Sequence, residues 1–77
     1  MQCEMRIMDT GAGDIKQMWD SDNPDEVEVA RKQFDECVNV KRMLAFRVDK
    51  KGGKTEQMKT FDPKAEAMIL TPMVAGG

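Results

Sequence analysis

Ala67-Met68-Ile69-Leu70-Thr71-Pro72-Met73-Val74-Ala75-Gly76-Gly77 is an apolar run, a proline and a short tail. Residues 67–71 are nearly all apolar, the pattern of a strand that is central in a sheet or covered on both faces. Pro72 has no N–H to give a ladder and stops the strand. Two glycines then put a carboxylate on a thread without side chains, which fits a channel too narrow for a Cβ. The plainer alternative is that the glycines end a frayed tail. The expected organisation is one domain over residues 1–71 and a flexible Gly-Gly tail over residues 72–77.

Working outward from that strand, Phe61-Asp62-Pro63-Lys64-Ala65-Glu66 reads as a turn or a single helical turn, with Asp62 as cap and Pro63 as first residue. Thr55 to Thr60 is polar enough for an edge strand. Lys50-Lys51-Gly52-Gly53-Lys54 is a basic turn. In Leu44-Ala45-Phe46-Arg47-Val48 the period-2 pattern places Leu44, Phe46 and Val48 inward. Before it, Asn23-Pro24-Asp25-Glu26 carries an N-cap, a first-turn proline and a capping-box acid. The spacing of Val27, Ala30, Phe34, Cys37 and Val38 predicts a helix to about Asn39 with one apolar face. Glu28–Lys32 and Arg31–Asp35 are spaced as exposed ion pairs. Glu4–Asp9 and Ile15–Asp20, around the turn Thr10 to Asp14, read as an N-terminal hairpin with Met5 and Ile7 on one face. Trp19 is expected where strand meets helix, its indole N–H at a polar edge.

Composition narrows the function. The chain has 77 residues, enough for one small core. It holds no histidine, the commonest general acid–base group and metal ligand, and so offers no activated Ser or Cys nucleophile. The expectation is that it is not an enzyme in its own right. A net charge of -2 with interspersed signs argues against nucleic acid as a partner. No apolar stretch approaches the roughly 20 residues of a membrane span, and with no n-region and apolar h-region at its start no secretory signal is expected. A reducing cytoplasm with free thiols is the expected setting. Cys37 lies on the apolar helix face as an inert thiol, whereas Cys3 is expected near the surface. The eight methionines read first as adaptable core filler and second as a contact surface.

The order strand, strand, helix, strand, edge strand, strand, together with Pro72-Met73-Val74-Ala75-Gly76-Gly77, resembles the ubiquitin-like β-grasp family. Within it, the likeness is to the small subunit of molybdopterin synthase and the thiamine-pathway sulfur carrier, which often end in Pro-Pro-Val-Ala-Gly-Gly. Five of those six residues stand here, with Met73 for the second proline. The residue-level likeness is confined to this tail, and Asp62-Pro63-Lys64-Ala65 replaces the Gly-Asp turn usual before the last strand. The resemblance implies an α+β fold: a mixed sheet of four to five strands on one helix, with an extended C-terminal tail. It implies that Gly77 carries the reactive carboxylate, with Gly76 as slack and Pro72, Met73, Val74 and Ala75 as a stiff lead. A patch around Leu70 and Val74 would dock on a partner. That partner would be an adenylating enzyme that consumes ATP, the carrier itself binding no cofactor. The acceptor would be a protein or a biosynthetic enzyme.

A different class stays open: a small interaction or assembly protein, such as a phage encodes, with an incidental Gly-Gly end. Other constellations carry little. Asp20 to Asp25 fails as a calcium loop because Asp25 stands where glycine gives the bend and Arg31 where the closing acid belongs. Gly11-Ala12-Gly13 does not open a helix, as a phosphate-binding loop must. The lysines of residues 50–54 suit a solvated loop, or a contact with an acidic partner.

Overall fold

The computed structural model describes residues 1–9, 13–49 and 55–73. The elements follow as β1 (Gln2–Asp9), β2 (Gly13–Asp20), α1 (Pro24–Asp35), a π-helical turn (Glu36–Val40), β3 (Leu44–Val48), β4 (Thr55–Met58) and β5 (Ala67–Thr71). The five strands make one mixed sheet in the order β2-β1-β5-β3-β4. β5 is the middle strand, parallel to β1 and antiparallel to β3, as its apolar sequence requires. The basic turn at residues 50–54, most of the hairpin turn and residues 74–77 lie outside the described residues.

α1 starts where its sequence directs. The Asn23 side chain accepts from the N–H groups of Asp25 and Glu26 at 3.1 and 3.3 Å. Glu26 differs from a simple capping box. It accepts from the Asn23 amide at 2.8 Å and from the backbone N–H of Asp20 at 3.1 Å, tying the helix start to the end of β2. On the exposed face Arg31 takes both acids, Glu28 and Asp35, so Glu28 pairs there in place of the expected Lys32. The last turn widens to π and closes through bonds from Lys41 N–H to Glu36 O and from Met43 N–H to Cys37 O. Arg42, between them, adopts φ 58°, the left-handed conformation that usually follows a helix end.

The helix covers one sheet face. Between the two layers lie Cys3, Met5, Ile7, Trp19, Ala45, Met68 and Leu70 from the sheet and Ala30, Phe34 and Cys37 from the helix. Phe61 completes an aromatic group, with ring centroids 5.3 Å from Trp19 and 5.6 Å from Phe34. The segment from Thr60 to Glu66 crosses this layer to bring β5 between β1 and β3. It is held by the Trp19 indole N–H, which donates to Pro63 O at 3.0 Å. Asp62 and Pro63 make a turn, with Asp62 accepting from Lys64 N–H at 2.9 Å.

Two expectations are corrected. Leu44, Phe46 and Val48 do not point inward. Ala45 is the buried residue of β3, 1% exposed, and the three large side chains stand on the face away from the helix. One helix of 12 residues covers only part of a five-stranded sheet, and it covers the face where β3 presents Ala45 and Arg47. Cys3, expected near the surface, is 1% exposed because β1 begins at Gln2 and the 60–66 crossover roofs it. Met5, Met43 and Met68 are core filler, while Met1, Met18 and Met73 are exposed.

Candidate functional site

The residues singled out from the sequence part company in the structure. Leu70 offers no docking surface: it is fully buried under the helix, opposite Ile7 on β1 and Ala45 on β3. The expectation that it docks a partner is corrected, and the reason is parity. Successive residues of a strand face opposite sides, so Leu70 faces the core and its neighbours Ile69 and Thr71 face away. Pro72 is half-buried and Met73 exposed as the chain leaves the sheet. Val74, Ala75, Gly76 and Gly77 lie outside the described residues.

The point of departure is fixed on both sides. Leu70 pairs with Ile7 and with Ala45, and Thr71 pairs with Leu44. A central strand held by two ladders is a rigid base for whatever follows it. Beside this exit lies a surface that sequence reasoning missed. On the face away from the helix, Phe46 stands opposite Ile69 and Leu44 opposite Thr71. With Val48 and Ala67 they form an apolar strip along the middle of the sheet. Leu44, Phe46, Val48 and Ile69 are each half-buried in it, and Ala67 is buried. Charged residues border it: Arg6 opposite Ile69, Glu4 opposite Ala67, and Lys16 with its ammonium 3.6 Å from Glu4. Glu4, Arg6, Val48, Ala67, Met68 and Ile69 enclose a shallow depression of about 160 Å³. The signal was present in the alternation of β3, but parity alone does not say which face the helix will cover.

The remaining chemistry is sparse. Among the described residues no polar or charged side chain is buried, and no buried side-chain N or O lacks a partner. No group of three His, Cys, Asp or Glu residues there stands close enough to hold a metal ion. No helix among them is long and apolar enough to cross a membrane. Neither Cys3 nor Cys37 forms a disulfide, and both are buried. Burial is the main cause that pushes the Cys3 thiol above its ordinary value. A neutral, enclosed thiol is a poor nucleophile. Compared with known proteins, the chain matches no family model, and neither a curated protein nor a solved structure matches it.

Proposed function

We propose that this chain is a ubiquitin-like carrier or modifier of the β-grasp fold that acts through the carboxylate of Gly77. One juxtaposition carries the reading. Pro72-Met73-Val74-Ala75-Gly76-Gly77 follows directly on β5, the strand clamped between β1 and β3. The order hairpin, helix, β3, edge β4, central β5 supports it, with β1 and β5 parallel.

In the proposed reaction a partner enzyme supplies the chemistry. A Gly77 carboxylate oxygen attacks the α-phosphorus of ATP, and pyrophosphate leaves. The acyl-adenylate is then attacked at carbon by a sulfur or amine nucleophile, and AMP leaves with the bonding pair. This chain supplies a handle that Gly76 keeps free of a Cβ, and a surface by which the partner holds it. The apolar strip of Leu44, Phe46 and Ile69 takes the docking role first assigned to Leu70. It lies on the sheet face beside the exit of the tail, and its charged border gives orientation.

The test is the intact mass of the chain purified from its native host and then incubated with ATP and host extract. The expected result is a chain ending at Gly77 that gains the mass of sulfur in place of oxygen, or that forms heavier adducts. Deleting Gly77 or substituting Gly76→Ala abolishes the gain with the fold unchanged. A chain continuing beyond Gly77 overturns the proposal. So does an unchanged mass in an extract competent on a known carrier.

A second reading, an interaction or assembly protein, is favoured by the same apolar strip. It predicts that truncation after Thr71 leaves function intact, whereas Phe46→Ser abolishes partner capture.

A further inference from the structure

We propose that β2 is the seam of a two-fold symmetric dimer, its outer edge pairing antiparallel with β2 of a second copy. The observation is an exposed apolar edge. Of the six large apolar side chains exposed among the described residues, two, Ile15 and Met18, stand on this strand, 41% and 44% exposed, and a third, Val29 at 56%, lies across a groove from Met18. Gln17, Met18, Asp25, Glu26 and Val29 line a groove of about 210 Å³ between β2 and α1. β2 is an edge strand of eight residues without a proline, twice the length of the opposite edge strand β4. A long edge with unpaired backbone groups is a template for another strand.

The hydrogen bonds say which groups are on offer. Ser21 N–H donates to Met1 O at 2.9 Å, so Ser21 and each second residue before it turn their backbone groups toward β1. Asp14, Lys16, Met18 and Asp20 therefore turn theirs outward. Asp20 is already satisfied: its N–H is taken by Glu26 at 3.1 Å and its carbonyl by Asn23 N–H at 2.9 Å. Asp14, Lys16 and Met18 remain to pair.

Charge then selects the register. With Lys16 opposite its own copy, like charges face each other across the seam, which is unfavourable. A shift toward the helix sets Asp14 opposite Asp20, again like charges. A shift the other way sets Asp14 opposite Lys16 of the second copy and Lys16 opposite its Asp14, two favourable pairs, with Ile15 opposite Ile15 on the axis. The Lys16 ammonium, 53% exposed and 3.6 Å from Glu4, has room to serve both carboxylates. Such an axis stands normal to the sheet and keeps both helices on one face. The interface is isologous and closes on itself.

Ile15 in this register is a non-hydrogen-bonded pair, with Cα atoms about 4.5 Å apart, within disulfide reach. The native thiols are buried and do not compete. The test is oxidative cross-linking of Ile15→Cys and Met18→Cys, with light scattering of the unmodified chain over a range of concentration. Expected are a covalent dimer from Ile15→Cys, little from Met18→Cys, and an unmodified chain whose mass rises from 8.7 kDa toward twice that value. Lys16→Asp weakens association about tenfold, and adding Asp14→Lys to it restores association by reversing both pairs. Circular dichroism confirms that each variant is folded. A chain that stays at 8.7 kDa at every concentration overturns the proposal, even if a strand of another protein binds this edge. So does Ile15→Cys cross-linking no faster than Met18→Cys.

Discussion

Trp19 shows how one side chain ties three parts of the molecule together. It leaves the end of β2, packs at a tilt against Phe61 and donates its indole N–H to Pro63 O, in the segment that delivers β5. A fully buried indole with its N–H satisfied contributes both apolar area and a hydrogen bond. Trp19→Phe keeps most of the area and loses the bond. It is expected to cost about 1–3 kcal/mol, read by urea unfolding followed by circular dichroism. Arg42 works the other way. Its left-handed backbone is strained for a residue with a Cβ. Arg42→Gly is expected to raise stability by about 0.5–1 kcal/mol in the same measurement, the relief outweighing the entropy that glycine adds to the unfolded chain. The Cys3 thiol, raised by burial, contributes stability that is complete below the unfolded pKa and is lost as pH rises through the folded value. Cys3 and Cys37 are expected to resist a thiol reagent at neutral pH until denaturant is added, then both to react. Rapid labelling of the native chain would contradict that burial.

At the scale of elements, the helix and its cap were plain from local signals, because Asn23, Pro24 and the acids after it act within one turn. Asn23→Ala is expected to cost about 1 kcal/mol. Part of that loss comes through β2, since Glu26 holds both the Asn23 amide and the Asp20 N–H. Asp20 itself is held below the usual carboxylate range, chiefly by accepting from Asp22 N–H and then from the N-terminal ammonium. A lowered folded pKa stabilises above the unfolded value, and that stabilisation fades as pH falls through the folded one. Thermal melts of the native chain are therefore expected to soften on acidification, and those of Asp20→Asn to change less over the same range. The existence of all five strands was also legible. The facing of β3 was not: its alternation is symmetrical in sequence, and the choice between Leu44, Phe46, Val48 and Ala45, Arg47 belongs to the helix that covers one side.

At the scale of the whole molecule the two sheet faces divide the work. One is covered over its core by α1 and the 60–66 crossover. The other keeps the strip of Leu44, Phe46 and Ile69 beside the exit of the chain from β5. Phe46→Ser is expected to leave the fold intact and to weaken capture by an activating partner, whereas Gly76→Ala keeps capture and abolishes transfer. Pull-down and transfer assays on the same preparations separate the two effects.

The sequence by itself determined the elements and their order, the cap that starts α1, the central place of the apolar β5 and the buried thiol of Cys37. Those features rest on interactions within a turn or on strand-scale apolar content, which neighbouring residues settle among themselves. Only the tertiary structure decided that Leu70 is core and Ile69 surface, that Phe46 looks outward, that Cys3 is roofed, and that Trp19 finds its acceptor at Pro63. A strand carries two equivalent faces until something covers one, and the residues that cover it here belong to other elements, as much as 60 positions away along the chain, beyond the reach of any local pattern.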